Sequence, residues 1–414
     1  MSARLSPVVP ENRFDTLDAL RGLALFGVLI ADMRSYCAPD AIYGNMARLF
    51  PGLPDVIAQS AVDLFITGKG ITLFTVLFGI GFGIQVSRAQ KRGASLSFIA
   101  RRLAILLVIG LIHSFFIWSS DILVGLALGG FLLFLFRKSR QQRVLSWSIG
   151  LFAATILFIL SLYLYLRAGW KLPPSFGVAN ARMAVLNAIN AYRDGDFWTM
   201  TVQRFNDWIQ INKFLPFVLV FFALPRFLAG LWAWRRGYVS VPEKYANEIR
   251  WASIWGLLIG LFADAFVFLM RYGVKPQHEF TFEPFAIAIA EQISYPAIAC
   301  FYACGLVLLM QWEVWVERFR PFAAVGRMAL TNYLAQSLVF TWFFRLTHLF
   351  GKVGPAMSLI PSVLFFGLQI LFSVWWLNRF QFGPLEWLWR SLTYGEAQPM
   401  RREPPEESAA LAEA

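Results

Sequence analysis

The chain has 414 residues, of which 58% are hydrophobic, 17% are aromatic and only 15% are charged. That balance argues against a soluble enzyme, whose surface needs more charged side chains, and it is typical of a multi-pass membrane protein. The net charge is +12, but the basic residues lie between apolar runs and form no aromatic-interleaved patch. This arrangement favours a role in membrane orientation and predicts no nucleic-acid binding.

Ten apolar stretches follow one another along the chain, and a membrane-spanning helix needs about 20 such residues. They lie at about 17–34, 58–86, 101–119, 121–136, 145–166, 213–234, 251–272, 285–310, 322–344 and 357–378. The pattern predicts an all-α, polytopic integral membrane protein with about ten transmembrane helices in one domain, residues 1–395. The first stretch is predicted to be a retained helix and not a signal peptide, because it has charges at its start and no Ala-x-Ala cleavage site after it.

Lys and Arg residues concentrate in alternate connections, and cytoplasmic loops are the ones that carry such an excess. These residues are Arg88, Lys91, Arg92, Arg101, Arg102, Arg137, Lys138, Arg140, Arg143, Arg235, Arg236, Lys244, Arg250, Arg318, Arg320, Arg327, Arg379, Arg390, Arg401 and Arg402. With ten helices, both termini are then predicted to face the cytoplasm. Residues 396–414 are polar and rich in Pro, Glu and Ala, which predicts a disordered cytoplasmic tail.

One external connection, at about 167–212, is long. It contains an amphipathic pattern in which Phe205, Trp208 and Ile209 share one side, with Arg204 and Asp207 on another. We expect a helix that lies on the outer membrane interface or covers a cavity.

Polar residues inside a membrane are costly, so those that remain are the best functional candidates. Asp18 and Arg21 stand at i and i+3 in the first helix, a spacing at which opposite charges pair on one face. In the second helix Lys69 lies about 9 Å deeper than Asp63, near mid-bilayer. Its ammonium group needs a carboxylate, carbonyl groups, water or an anionic ligand. Two interpretations of Lys69 remain: it contacts a ligand, or it forms a purely structural ion pair.

His113 is predicted in the outer half of the third helix, about 18 Å from its cytoplasmic start. Asp32 and Asp63 are predicted at a similar depth, and Asp121 lies just beyond. An imidazole that is oriented by a carboxylate can take a proton from a hydroxyl or an amine. Because Asp121 would be about 12 Å away if the helix continued, Asp63 or Asp32 is the expected partner. A histidine that only packs in the core is the alternative.

Other chemistries lack their sequence signatures. The chain contains no Gly-x-Ser-x-Gly elbow, no P-loop and no Gly-x-Gly-x-x-Gly fingerprint. His113, His278 and His348 are scattered, so we predict no metal site. Asn332 and Gln336, one turn apart, are typical of interhelical hydrogen bonds.

Five sequence runs carry a family resemblance: LDALRGLALFGVLIAD (17–32), GKGITLFTVLFGIGFGIQ (68–85), RRLAILLVIGLIHSFFIWSSDIL (101–123), VGRMALTNYLAQS (325–337) and FGPLEWLWRSLTYG (382–395). Together they closely resemble the YeiB-like family of bacterial inner-membrane proteins. That family is similar to a branch of the transmembrane acyltransferase superfamily, which shares an opening Leu-Asp-x-x-Arg-Gly, here Leu17, Asp18, Arg21 and Gly22.

The resemblance implies a bacterial inner-membrane enzyme that moves an acyl group, such as acetyl, from cytoplasmic acyl-CoA to a hydroxyl or amine on the outer side. Acyl-CoA would be a co-substrate, with no tightly bound cofactor. Residue chemistry, and not the resemblance, gives the roles in such an enzyme: His113 would act as the base, oriented by Asp63, Asp32 or Asp121, and Lys69 would polarise the thioester carbonyl or stabilise the oxyanion. The candidate donor-binding residues are Lys69, Asp18, Arg21, Arg101, Arg102 and Asn332.

Several alternatives stay open at this stage. The arginines could serve only as topology determinants, and the protein could be a proton-coupled transporter or flippase of a small or lipid-linked solute, or a structural protein. Expected partners are membrane lipid, acyl-CoA and a carbohydrate, lipid-linked or small-molecule acceptor, and a homo-oligomer is left open. The enzymatic reading requires that His113, Asp63 and Lys69 meet at a common watery pocket.

Overall fold

The computed structural model describes residues 15–39, 50–93, 95–171, 181–273 and 282–402, without the side chains of 181 and 182. Within these ranges the regular structure is helical, with one isolated β-bridge between Phe380 and Arg401. The all-α prediction is therefore confirmed for the described part of the chain. His278 and residues 403–414 of the predicted tail lie outside it.

The helices are α1 (Asp15–Cys37), α2 (Leu53–Phe65), α3 (Lys69–Lys91), α4 (Ser97–Phe116), α5 (Leu123–Leu133), α6 (Gln141–Arg167), α7 (Ala181–Asp194), α8 (Phe197–Asn212), α9 (Leu224–Arg236), α10 (Ala246–Phe268), α11 (Glu283–Leu309), α12 (Glu313–Arg327), α13 (Ala329–Leu346), α14 (Pro355–Leu377) and α15 (Pro384–Tyr394). A π-helical turn, Val218–Ala223, leads into α9, and another, Leu269–Gly273, follows α10.

Seven helical stretches of the described chain are long and apolar enough to cross a membrane. They are Leu53–Lys91, Ser97–Phe116, Gln141–Arg167, Leu215–Arg236, Pro242–Arg271, Glu283–Leu309 and Pro355–Leu377. The other stretches of the predicted ten are α1, which carries several charges, α5, which is short, and α13. The structure thus has the helices of a multi-pass membrane protein.

Two predicted spans are interrupted. The second span, predicted at 58–86, breaks between α2 and α3 at Gly68, whose φ of 75° lies in the left-handed region that glycine tolerates. A Cβ atom on Gly68 would also lie 2.3 Å from the ring of Tyr295. The ninth span, predicted at 322–344, breaks at Met328 between α12 and α13. The predicted connection between the eighth and ninth spans is mostly helical, since α12 covers 313–327.

Helix α1 lies at the centre and crosses α12 at very short range. A Cβ atom on Gly22 would lie 2.1 Å from the backbone oxygen of Phe322, and one on Gly326 would lie 1.8 Å from that of Asp18. Small residues at a crossing let two helix backbones approach closely. The Gly of the Leu-Asp-x-x-Arg-Gly run therefore has a packing reason.

The chain reverses direction just after His113. Helix α4 ends at Phe116, and the amides of Ile117 and Trp118 both donate to the backbone oxygen of His113 at 2.9 Å. Asp121 then accepts the N–H of Val124, in the first turn of α5, at 2.9 Å. Since α5 runs back along α4, Asp121 returns towards His113 instead of continuing away from it.

The predicted external segment contains the two helices α7 and α8. Phe205 and Ile209 of α8 are 48% and 43% exposed, whereas Arg204 is only 1% exposed. Helix α8 covers the residues of the predicted amphipathic pattern, with Met200 and Arg204 on its buried side and Phe205 and Ile209 on an exposed side.

Part of the predicted tail is folded against the chain. The amide of Gln381 donates to the oxygen of Met400 at 2.9 Å, and the amide of Arg402 donates to the oxygen of Arg379 at 3.2 Å. The predicted start of a tail at residue 396 is therefore too early for 396–402.

Candidate functional site: a buried histidine between two cavities

His113 is 1% exposed and has a hydrogen-bond partner on each ring nitrogen. Its Nδ1 lies 2.7 Å from Oδ1 of Asp121, and its Nε2 lies 2.7 Å from Oγ of Ser337. A hydroxyl, an imidazole and a carboxylate in this order match the arrangement of a nucleophile, a base and the group that orients the base. We call His113, Asp121, Ser337 and Tyr333 the histidine cluster.

Asp121 is fixed from several directions. The Tyr333 hydroxyl lies 3.3 Å from its Oδ1, and the amide of Val124 donates to its Oδ2. The same Tyr333 oxygen accepts the amide of Ile122 at 3.2 Å. These contacts set the carboxylate where it can hold one imidazole tautomer and stabilise the imidazolium.

The histidine cluster corrects the predicted pairing. Asp63 and Asp32 were expected to orient His113, and the carboxylate bonded to it is that of Asp121. The expectation assumed that α4 continues past residue 119, whereas it ends at Phe116 and the chain turns back. Asp32 lies near enough to act electrostatically on Tyr36 and Tyr333, so it belongs to the surroundings of the site.

Ser337 and Tyr333 were not predicted as site residues. A signal for them exists in the sequence, because Asn332, Tyr333, Gln336 and Ser337 form a polar stripe at i, i+1, i+4 and i+5 on the apolar helix α13. Asn332, a predicted donor-binding residue, donates to Val325 O at 3.2 Å and to Ser373 Oγ at 3.0 Å. Its amide therefore joins helices, as does that of Gln336, which donates to Gln369 at 2.8 Å.

A cavity of about 350 Å³ lies on one side of the histidine cluster. Its far end is rimmed by guanidinium groups, and its near end is closed by Ile122, Leu123 and Tyr333. The arginines are Arg21, Arg88, Arg102, Arg327 and Arg390. We call this space the arginine cavity.

Some of the predicted donor-binding residues line the arginine cavity and others do not. Arg21, Arg102 and Asp18 line it, and Arg21 pairs with Asp18 as the i, i+3 spacing predicted. Arg101 is exposed and does not line it. Arg102 stacks 3.7 Å above the Trp389 ring of α15, which keeps its charge at the rim.

Positive charge dominates the lining of the arginine cavity. The acidic residues among its described walls are Asp18, which is paired with Arg21, and Glu386. Glu386 accepts hydrogen bonds from the Thr331 amide at 3.0 Å and the Thr331 hydroxyl at 2.6 Å. Burial raises the pKa of Glu386, against the opposing effect of these hydrogen bonds. An anionic ligand would thus meet an excess of cations.

A second, smaller cavity of about 30 Å³ lies on the other side of the histidine cluster. Its described walls include Tyr36, Trp118, Ser119, Arg204 and Thr341, and we call it the Arg204 cavity. The Tyr36 and Trp118 rings are 4.6 Å apart, and the Trp118 ring lies 6.4 Å from the imidazole of His113. His113 is therefore one layer of side chains away from each cavity.

Lys69 and Asp63 belong to a different cluster. Lys69 Nζ lies 3.0 Å from Asp264 Oδ1 and donates to the backbone oxygen of Asp63 at 2.8 Å. The Asp63 carboxylate receives Arg34 at 2.9 Å and Arg271 at 3.2 Å. Arg271 also pairs with Glu291. We call Lys69, Asp264, Asp63, Arg34, Arg271 and Glu291 the lysine cluster.

His113, Asp63 and Lys69 share neither cavity, so the enzymatic interpretation that required a common pocket for these three residues fails, and chemistry at His113 has to depend on other residues. Lys69 and Asp63 are absent from the described walls of both cavities. Lys69 is 1% exposed and held by Asp264, so the predicted contact of its ammonium with a thioester has no support. Of its two interpretations, the structural pair is the one observed.

The comparisons with other proteins place the chain among proteins of similar length. Residues 233–396 match a family model described as "Protein of unknown function (DUF418)". "Uncharacterized protein YxaH" of Bacillus subtilis (strain 168) is 33% identical over 424 residues, covering 96% of this chain and 98% of that protein. "Uncharacterized protein YeiB" of Escherichia coli (strain K12) is 28% identical over 410 residues, covering 93% of this chain and 97% of that protein.

Proposed function

The chain belongs to the DUF418 family, with YxaH and YeiB among its relatives, and we propose from the geometry of the histidine cluster that it is a membrane acyltransferase. It would transfer an acyl group from cytoplasmic acyl-CoA to a hydroxyl or amine acceptor on the outer side of the bacterial inner membrane. One observation carries the proposal. His113, bonded to both Asp121 and Ser337, lies between an arginine-rimmed cavity and a cavity at the opposite side.

The orientation follows from charge. In the proposed topology ten helices cross the membrane and both termini face the cytoplasm. The ten are the seven long apolar stretches together with α1, α5 and α13. The arginine cavity then opens at the basic, cytoplasmic end, because Arg88, Arg102 and Arg327 belong to the basic connections. The Arg204 cavity lies towards the outer side, beneath α8.

The arginine cavity suits an acyl-CoA. Guanidinium groups bind phosphate through charge-assisted, often bidentate hydrogen bonds. The walls between the rim and Tyr333 are mostly apolar, including Phe78, Phe82 and Leu106, and can accept a pantetheine arm. The volume of about 350 Å³ falls within the usual range of small-molecule pockets, about 300–1,000 Å³.

Ser337 is the group from which His113 can take a proton. Nδ1 faces Asp121, so Nε2 is the free base, and Ser337 Oγ lies 2.7 Å from it. In the first half-reaction Ser337 Oγ attacks the thioester carbonyl, its proton passes to Nε2, the carbon–sulfur bond breaks and the proton goes to the thiolate. The products are acyl-Ser337 and free CoA, with Asp121 stabilising the imidazolium.

The second half-reaction uses the same base. The acceptor hydroxyl or amine attacks the acyl-Ser337 carbonyl, its proton passes to Nε2 and then to Ser337 Oγ as the ester bond breaks. Donor and acceptor thus use opposite sides of one residue at different times. This division lets an acyl group cross the membrane without an open channel.

A proton-coupled transporter is the second candidate, and the lysine cluster is the observation in its favour. Buried ionisable residues in spans are a common feature of proton relays. Its charges are paired, however, so a proton relay through Lys69 or Asp63 would first have to break buried ion pairs. Proton-coupled solute uptake into vesicles, lost in Asp264→Asn and kept in Ser337→Ala, would favour this candidate over the acyltransferase.

The experiment is acyl labelling of the purified protein in detergent, without an acceptor. Acetyl-, malonyl- and palmitoyl-CoA, each radiolabelled in the acyl group, are added and the denatured protein is counted. We expect an alkali-labile label on the wild type, at no more than one acyl group per chain. His113→Gln and Ser337→Ala are expected to abolish it.

Ser362→Ala is the matched control, because Ser362, like Ser337, is fully buried in an apolar helix, and its hydroxyl donates to the backbone oxygen of Ser358. This variant should label like the wild type. Label on Ser337→Ala equal to wild type would contradict the role of Ser337. No label with any of the three donors, together with no binding of CoA, would contradict the acyltransferase.

A further inference from the structure

Arg204 is a buried cation with an unused hydrogen-bonding edge. The residue is 1% exposed, and its Nη1 donates to the backbone oxygen of Phe116 at 2.9 Å. Its Nε and Nη2 have no hydrogen-bond partner among the described residues. A buried charged group normally has its hydrogen bonds satisfied, since leaving them unmade is costly.

The chemistry of the unused edge is specific. Nε–H and the adjacent Nη2–H of a guanidinium point in parallel, and this fork matches the two oxygens of a carboxylate. Burial lowers the pKa of Arg204, and the neighbouring Arg345 cation lowers it further, with only Tyr192 acting in the other direction. An anion at this edge would offset both effects.

The Arg204 cavity has the size of such a group. Its volume is about 30 Å³, and one water needs about 10–15 Å³ measured in this way, so it holds about two water-sized groups. The two oxygens of a carboxylate fit that space, with the rest of the molecule outside it. Another wall residue, Thr341, has a buried hydroxyl that is without a partner in the described chain. None of the described wall residues is acidic.

The cavity is also well placed. Tyr36 and Trp118 form the wall that it shares with the histidine cluster, and Ser119 lies beside them. A molecule anchored by a carboxylate on Arg204 would have its remaining atoms within reach of that wall.

We propose that the Arg204 cavity binds a carboxylate group, held side-on by Nε and Nη2 of Arg204 and by the Thr341 hydroxyl. Resting on the proposed function, the acyl acceptor is then a hydroxyl or amine compound that carries a carboxylate, such as a hydroxy acid, an amino acid or a uronic acid. The carboxylate anchors the acceptor, and its hydroxyl or amine turns towards Ser337.

The test is anion-specific stabilisation of the full-length protein in detergent at pH 7. Sodium acetate and sodium lactate are titrated against sodium chloride and sodium phosphate at equal ionic strength, and the thermal unfolding midpoint is followed. We expect both carboxylates to raise the midpoint saturably and chloride to do so weakly or not at all. Phosphate can bind the guanidinium groups of the arginine cavity, so its effect should be the same in Arg204→Lys as in the wild type. Arg204→Lys keeps the charge and loses the fork, so its apparent Kd for acetate should rise at least about tenfold.

Three further variants control the result. Arg102→Lys changes the arginine cavity, and Arg193→Lys changes an arginine of α7 that pairs with Asp194. Both should keep the acetate effect of the wild type. Thr341→Val removes the hydroxyl and leaves Arg204 intact, so it should weaken acetate binding even if Arg204→Lys does not fold.

Several results would overturn the proposal: no saturable acetate effect on the wild type, a phosphate effect that is lost in Arg204→Lys, or acetate binding that depends on Arg102 and not on Arg204. Acyl labelling in the absence of an acceptor does not involve this cavity. Acyl labelling without carboxylate binding would therefore refute the proposed acceptor class and leave the acyltransferase proposal intact. Carboxylate binding at Arg204 without acyl labelling would refute the acyltransferase and leave the carboxylate site intact.

Discussion

The histidine cluster and the lysine cluster are both buried among helices, and they differ in whether their polar groups are held in ion pairs or can exchange a proton. In the lysine cluster Lys69 meets Asp264, while Asp63 meets two arginines. The histidine cluster has one carboxylate, one imidazole and two hydroxyls, and it stands between two cavities.

That difference indicates a division of labour. A closed network of opposite charges has little freedom to exchange protons or ligands, and breaking it leaves an uncompensated buried charge. A hydroxyl bonded to an imidazole can transfer its proton. We therefore expect substitutions in the lysine cluster to change stability and substitutions in the histidine cluster to change chemistry.

The largest expected effect is on the chemistry of the histidine cluster. His113→Gln keeps the size and hydrogen-bonding capacity of the side chain but cannot accept the proton of Ser337. The rate of acyl labelling from acyl-CoA should fall by about 10⁴-fold, measured by rapid-quench labelling, with a thermal midpoint close to that of the wild type. A variant that labels at the wild-type rate would make the histidine a packing residue.

Next in size is the loss of Lys69. Lys69→Met leaves the Asp264 carboxylate buried without its cation, and the free energy of unfolding should fall by about 3–5 kcal/mol, measured by denaturant titration in detergent. The double variant Lys69→Met with Asp264→Leu should recover much of that loss and should still label with an acyl group. If Lys69→Met kept the stability of the wild type and lost acyl labelling, the lysine cluster would take part in the chemistry, contrary to this account.

A smaller effect is expected at the arginine cavity. Arg102→Ala removes one of the rim guanidinium groups and its stacking on Trp389. The Kd for CoA should increase about tenfold, equivalent to about 1.4 kcal/mol, in a direct binding measurement. Arg101→Ala is the matched control, because the neighbouring Arg101 is exposed and outside the described lining. Equal losses in both variants would mean that general positive charge, and not the cavity, attracts CoA.

The smallest effect concerns Tyr333. Tyr333→Phe removes the hydroxyl that contacts both Asp121 and the Ile122 amide, and one such hydrogen bond contributes about 0.5–1.5 kcal/mol. We expect a labelling rate reduced a few-fold. A loss as large as that of His113→Gln would show that Tyr333 itself takes part in proton transfer.

The sequence was enough to predict the helical membrane architecture, because apolar length and loop charge are local properties. It also predicted the Asp18–Arg21 pair, which is observed, and it singled out His113, Arg21 and Arg102 as candidate residues. The partner of His113 could not be read in the same way. A straight α4 would carry Asp121 out of reach, and only the end of that helix at Phe116 brings the two side chains together.

For Lys69 the sequence left a ligand contact and a structural pair open, for a related reason. Its depth in the membrane follows from residue spacing, but its partner Asp264 lies 195 positions away in α10. Ser337 was overlooked because a lone serine in an apolar helix commonly bonds its own backbone. The backbone oxygen of Tyr333 does lie 3.0 Å from Ser337 Oγ, as an alternative acceptor to Nε2 of His113. Which of these polar groups meet depends on helix packing, which periodicity does not specify.

The most direct test of the central claim is to find the residue that carries the acyl group. After incubation with acyl-CoA in the absence of an acceptor, the protein is digested and its peptides are mapped by mass spectrometry. Our account predicts a single acyl group on Ser337, lost after brief treatment with alkali and absent in His113→Gln. An acyl group on any other residue, or acyl transfer that proceeds while Ser337 is never modified, would contradict it.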